Sequence, residues 1–268
     1  EIGNYMSSHP EVDMVSFTGS TGAGVSVSEA AAPTVKRVTL ELGGKSANVA
    51  LDDADPILVA KKAIGACHQN SGQTCSALTR LIIPESMSEE VYKVIAEKND
   101  SYRPGNPLEE STRCGPMVSL RQQESVTGYI KSGINDGATL LSGGLGMPEG
   151  ISKGFYVKPT IFTNVTSEMK IWKEEIFGPV LVIATYKTEK EAIELANDSI
   201  YGLSGGVWSN DEDRAIKFAK EMRTGQVSVN GGSFNVSAPF GGYKLSGNGR
   251  ELGTHGLNEF LEIKSIQL

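Results

Sequence analysis

Apolar side chains follow two rhythms along this chain. Between residues 56 and 70, Ile57, Ala60, Ile64 and Cys67 recur at helical spacing. The acids Asp52, Asp53 and Asp55 ahead of them supply an N-cap, and Pro56 suits a first helical turn, where its missing N–H costs nothing. The same rhythm predicts helices over 88–97, 120–136, 189–197 and 211–222, with a Ser/Ala-rich helix running to about residue 32. Short β-type runs predict strands at 12–17, 36–40, 47–51, 81–84, 155–157, 180–186, 205–208 and 226–229. Residues 262–268 alternate polar with apolar side chains (Ile263, Ile266, Leu268) and read as an edge strand seeking a partner. Strand, glycine turn, helix, strand is the unit of a parallel α/β sheet, so the expected fold is α/β: an open, mostly parallel sheet with flanking helices.

Composition narrows the function classes. With 268 residues and 39% hydrophobic content the chain can bury a large core. A net charge of −7 with no Lys/Arg cluster argues against a nucleic-acid partner. No apolar run approaches membrane-spanning length. Three cysteines at irregular spacing make no disulfide framework, which points to a reducing, cytoplasmic setting. Three scattered histidines and no acidic cluster of ligand spacing make a catalytic metal improbable.

Two side chains stand out chemically. Cys75 lies in Gly72-Gln73-Thr74-Cys75-Ser76, a polar loop between a helix and a strand where packing does not require a thiol. Cys67, by contrast, falls on the apolar face of its helix. Glu41 follows an apolar strand in Glu41-Leu42-Gly43-Gly44-Lys45-Ser46. A thiol nucleophile and a carboxylate base are the parts needed to form a thioester and hydrolyse it. The plain readings stay open: a small buried thiol and a solvated strand-end acid. His68 is a further candidate partner for Cys75. Gly43-Gly44-Lys45-Ser46 looks like the end of a Walker A loop, but Thr39 stands where its first glycine belongs, so ATP binding is set aside. The turn Gly19-Ser20-Thr21-Gly22-Ala23-Gly24 lacks the usual dinucleotide spacing, yet it opens a helix where an anion is favoured. Glu175 and Phe177, in Glu175-Ile176-Phe177-Gly178-Pro179, either end a helix or meet a ribose and a flat ring.

Five segments in order, Phe17-Thr18-Gly19-Ser20-Thr21, Glu41-Leu42-Gly43-Gly44-Lys45-Ser46, Gly72-Gln73-Thr74-Cys75, Glu175-Ile176-Phe177-Gly178-Pro179 and Pro239-Phe240-Gly241-Gly242, make the whole chain resemble the aldehyde dehydrogenase superfamily. The resemblance implies that Cys75 is the nucleophile and Glu41 the general base. It implies that Gly19, Ser20, Leu42, Gly43, Glu175 and Phe177 contact NAD or NADP, with Gln122 aligned less securely. The implied partner is a small-molecule aldehyde, oxidised to a carboxylic acid through a cysteine thiohemiacetal and thioester. Relatives that acylate coenzyme A generally lack the base, so Glu41 favours hydrolytic release; a coenzyme A-acylating enzyme and a non-catalytic relative are the alternatives.

In domain terms the resemblance implies that residues 1–43 end a Rossmann-like dinucleotide-binding domain. Residues 44–249 would form the catalytic domain, and 250–268 a return segment with part of an oligomerisation strand. The expected whole is a longer homodimeric or homotetrameric enzyme, of which this chain alone should oxidise aldehydes poorly or not at all. The choice between NAD and NADP and the identity of the aldehyde stay open. Residues 235–238 and those flanking Cys75 are suggestive of a substrate tunnel.

Overall fold

The computed structural model describes all 268 residues. Helix α1 (Ile2–Ser8) leads into strand β1 (Met14–Thr18), helix α2 (Thr21–Ala31) and strand β2 (Arg37–Glu41). β1 and β2 pair in parallel, with Thr18 opposite Glu41, so both run into glycine turns at the same end. The chain continues through β3 (Ala47–Ala50), α3 (Pro56–His68), β4 (Arg80–Pro84), α4 (Ser88–Asn99), α5 (Leu120–Asn135), β5 (Thr139–Ser142) and β6 (Thr160–Thr163). Next come α6 (Lys170–Lys173), β7 (Val180–Tyr186), α7 (Glu189–Asn197), β8 (Tyr201–Gly202), β9 (Ser204–Trp208), α8 (Glu212–Glu221) and β10 (Gln226–Val229). Two-residue strands β11 (Tyr243–Lys244) and β12 (Gly247–Asn248) and helix α9 (Gly253–Glu259) complete it.

Seven strands form the main sheet in the order β10-β9-β3-β4-β7-β6-β5, parallel except for the edge strand β5. This is the expected open α/β architecture. Its central strands are apolar on both faces, as a sheet covered on two sides requires. Along β7, Val180, Val182, Ala184 and Tyr186 enter one core with Val126, Ile130 and Phe218 from α5 and α8. Leu181 and Ile183 enter the other, with Val59, Ile64 and Cys67 of α3 and Val91 and Ile95 of α4. Cys67 is thus a core residue, as its helical position predicts. The α3 stripe is Val59, Ala60, Ala63, Ile64 and Cys67; Ile57 faces outward, 40% exposed.

Arg80 is fully enclosed at the start of β4. Its guanidinium donates to the carbonyls of Lys45 (2.8 Å), Leu195 (3.0 Å), Ala196 (2.9 Å) and Asp198 (3.0 Å) and lies over Trp172. Three of these carbonyls lie at the end of α7, where a cation is favoured.

Residues 155–157 form no strand, contrary to the reading from sequence. The Phe155 carbonyl accepts the Met117 N–H (2.8 Å) and the Tyr156 carbonyl accepts from Gln123 Nε2 (2.8 Å), so this backbone is committed to α5 and the loop before it. Pairing begins at Thr160, after Pro159, which has no N–H to give a ladder. Residues 262–268 are likewise no strand in the single chain. They are exposed, tethered only where Arg37 reaches Glu262 and the carbonyls of Glu259 and Leu261.

The second sheet is small, in the order β1-β2-β12. β12 runs antiparallel to β2, placing Gly247 opposite Glu41. A third sheet pairs β11 antiparallel with β8, and Ser246 ties it to the turn after β2: its hydroxyl donates to the Gly43 carbonyl (2.6 Å) and accepts the Gly202 N–H (2.9 Å).

Candidate active site

A cleft of about 710 Å³ opens at the carboxyl ends of β1 and β2. That is where ligands sit in open α/β sheets. Gly19 and Ser20 line it from the β1 turn, Glu41, Leu42 and Gly43 from the β2 turn, and Cys75 from the loop after α3. Gln122, Glu175 and Phe177 close the far side. Cys75, Glu41 and all the candidate cofactor contacts therefore line one cavity, whereas His68 and residues 235–238 lie outside it.

Two glycine positions make this convergence possible. A Cβ on Gly43 would lie 2.1 Å from Glu175 Oε2, and one on Gly44 would lie 2.6 Å from the Cys75 carbonyl oxygen. The Gly43-Gly44 pair thus lets the Glu175 and Cys75 segments close on the base turn, and Gly44 N–H donates to Glu175 Oε1 at 3.0 Å. Gly72 is the second position. It follows Asn70 and Ser71, both left-handed, and itself has φ of 72°. A Cβ there would meet the Gly178 carbonyl oxygen at 2.1 Å. Gly72→Ala combines a disfavoured backbone with a backbone collision, and we expect it to cost about 3 kcal/mol. Urea denaturation midpoints of the two chains measure this.

Glu41 is only 6% exposed, and neither carboxyl oxygen has a hydrogen-bond partner. Burial pushes its pKa up to about 8, the Glu251 carboxylate adds to the rise, and Arg250 opposes it. The reading as a solvated strand-end acid is excluded. Because the folded value lies above the ordinary 4.5, the fold favours the neutral acid. The stability this contributes is complete below about 4.5 and is lost as pH rises through about 8. Glu41→Gln, neutral throughout, should flatten the fall in urea midpoint across that window.

Cys75 is half-buried. Burial holds its thiol above the ordinary value, the Glu175 carboxylate raises it further, the Ser76 N–H offsets this, Glu41 adds to the rise and the Cys75 N–H opposes it. His68 is not its partner: the imidazole is buried behind α3, its Nε2 paired with Asn99 Oδ1 at 3.0 Å, and burial pushes it down to about 4.

Ser20 caps α2, its hydroxyl accepting the Ala23 N–H at 3.3 Å. Phe177, with φ of 54° and 38% exposed, presents its ring to the cleft, and Gln122 Nε2 donates to its carbonyl at 2.9 Å. Lys45 lies behind Gly44, 2% exposed with an unpartnered amine, pushed down to about 7 by burial and then by Arg80. Around Glu41 the sequence reading missed Arg250 and Glu251, and it quoted Gly241 without placing it here, where an added Cβ would stand 2.8 Å from Glu41 Oε1. The one local signal is a charged pair among glycines, Gly249-Arg250-Glu251-Leu252-Gly253.

A second chamber, about 390 Å³, lies beyond the cysteine loop. Thr74 lines both cavities, Cys75 the first and Ser76 the second, so the Thr74-Cys75-Ser76 segment is the wall between them.

The family model described as "Aldehyde dehydrogenase family" matches residues 1–266. The chain belongs to the aldehyde dehydrogenase family. Among its family relatives, a 3-succinoylsemialdehyde-pyridine dehydrogenase of a Pseudomonas species is 51% identical over 265 residues, 99% of this chain and 56% of that protein. Aldehyde dehydrogenase C of Pseudomonas syringae, solved as a cysteine-to-alanine mutant with NAD+ and octanal, superposes with a TM-score of 0.96 at 47% identity. That match covers 98% of this chain and 54% of the other. The Mycobacterium tuberculosis aldehyde dehydrogenase complexed with NAD+ gives a TM-score of 0.92 at 43% identity, over 95% of this chain and 52% of the other. The chain spans about half the length of the curated relatives it matches.

Proposed function

We propose that the parent protein oxidises an aldehyde to a carboxylic acid with NAD(P)+, and that Cys75 and Glu41 carry the chemistry. The observation that carries this reading is the placement of one thiol in a wall between two cavities, with a buried acid of raised pKa in the larger one. The cleft suits the nicotinamide and its ribose: it offers a helix start capped by Ser20, the Glu175 carboxylate and an aromatic face at Phe177. Relatives with NAD+ bound support the same assignment. The smaller chamber, beside residues 235–238, takes the aldehyde.

The ionised Cys75 sulfur adds to the aldehyde carbon, and the Cys75 N–H is positioned to donate to the resulting oxyanion. The bound nicotinamide supplies one thing, acceptance of the hydride that leaves this carbon. Collapse of the oxyanion expels that hydride as the C=O bond forms, leaving a thioester on Cys75. Glu41 removes a proton from water, hydroxide adds to the thioester carbonyl, the C–S bond breaks, and the carboxylic acid leaves. Residues 1–43 close the cofactor domain in this reading, 44–249 form the catalytic domain, and 250–268 return towards an oligomer contact. The exposed Ile263, Ile266 and Leu268 support a homodimer or homotetramer, and three free cysteines support a cytoplasmic setting.

The test is to incubate the chain with an activated acyl ester and locate the adduct by peptide mass spectrometry. An acyl group confined to the Cys75 peptide is expected; acylation elsewhere, or none, overturns the reading. NADH formation from an aldehyde, with and without coenzyme A, separates hydrolytic release from acyl transfer.

A further inference from the structure

We infer that the smaller chamber selects uncharged aldehydes whose tail carries a hydrogen-bonding group, in preference to plain alkyl aldehydes and to anionic or cationic ones. This deepens the proposed function and rests on its reading of Cys75. Not one of the 18 residues lining the chamber is acidic, basic or histidine. A charged tail entering it would meet no partner ion among them, so whatever water it sheds goes uncompensated. The larger cleft differs, since it holds both Glu41 and Glu175.

The chamber is not an alkyl channel either. Only seven of its 18 lining residues are hydrophobic. Hydroxyls of Thr74 and Ser76 flank the nucleophile. Gln226 Nε2 donates to Ser204 Oγ at 2.7 Å, which fixes the amide and leaves its carbonyl oxygen and other N–H for a ligand. Ser228 donates to the Gly232 carbonyl at 2.9 Å and keeps its lone pairs as acceptors. Asn235 Oδ1 accepts the Ser237 N–H at 2.9 Å, so its amide retains two donors. Phe234 and Phe240, edge to face at 5.9 Å between centroids, supply flat apolar contact. An alkyl tail would strand these polar groups unpaired, whereas a ketone, amide or heteroaromatic tail would satisfy them. Discrimination built on hydrogen-bonding groups exceeds what an extra methylene can give.

The experiment uses iodoacetamides with tails of equal length ending in an alkyl, aryl-ketone, carboxylate or quaternary ammonium group. Each is measured for its second-order rate constant at Cys75, the saturating rate divided by the half-saturating concentration. The ketone reagent should react about 10-fold faster than either charged reagent and several-fold faster than the alkyl one, tenfold being about 1.4 kcal/mol. Gln226→Leu and Asn235→Ala should each shrink the ratio of the ketone rate to the alkyl rate, read against unsubstituted iodoacetamide on the same variant. Equal rates across the set, or an alkyl preference, overturn the inference. If unsubstituted iodoacetamide fails at Cys75, the nucleophile reading falls instead. The chamber is then judged by binding of the ketone, alkyl and charged amides to the Cys75→Ala chain, followed by NMR shifts. Ketone preference there upholds the selectivity, and its absence overturns it.

Discussion

Cys75→Ala should abolish ester hydrolysis by this chain, a loss of about 10³-fold or more down to the rate of buffer. The expectation is specific to one sulfur. Cys67 and Cys114 are buried thiols pushed up to about 12, so neither supplies thiolate near neutral pH, and alanine at either position should leave acylation intact. Cys75 is the exception because it is only half-buried and sits in a loop that opens to two cavities. Stopped-flow release of nitrophenolate from an activated acetate ester, run on the three alanine variants, measures this. Equal loss in all three would show that folding, not nucleophilicity, had been lost.

Glu41→Gln should separate the two halves of turnover. Acylation needs only the thiol, so a burst near one equivalent per chain is expected. Release of the acyl group needs the base, so the steady rate after the burst should fall about 10²- to 10⁴-fold. The pH dependence carries the same signature. In the unmodified chain the base works only when ionised, so the steady rate should climb as pH rises through about 8 and then level. The variant should lack that step. The burst phase reports the thiol and keeps its own, separate profile. A steady rate unchanged in Glu41→Gln would remove this residue from the mechanism.

The sheet was legible because its central strands carry runs such as Leu81-Ile82-Ile83 and Val180-Leu181-Val182-Ile183, apolar on both faces, between well-capped helices. The missed elements lacked such a signal. β5 lies at the sheet edge with Thr139 and Leu140 exposed, and α6 is a single turn. α9 contains Gly253 and Gly256, poor helix formers, and forms where Gly256 packs so closely on Glu251 that a Cβ would sit 2.6 Å from its carbonyl carbon. Cys75 and Glu41 could be picked by chemistry, since a thiol in a polar loop and an acid between an apolar strand and two glycines each break a local pattern. Their surroundings could not. Glu251 and Arg250 reach Glu41 only because β12 pairs with β2, a contact between residues about two hundred positions apart that no local periodicity encodes.

The placement of the thiol in a partition rather than at the base of a single pit has a kinetic corollary. Under the proposed function, oxidant and fuel would approach opposite sides of one peptide segment, so neither would have to vacate before its counterpart arrives. Loading order is then a matter of relative affinities instead of a steric queue. Traffic through one doorway can be narrowed by substitution without touching the other.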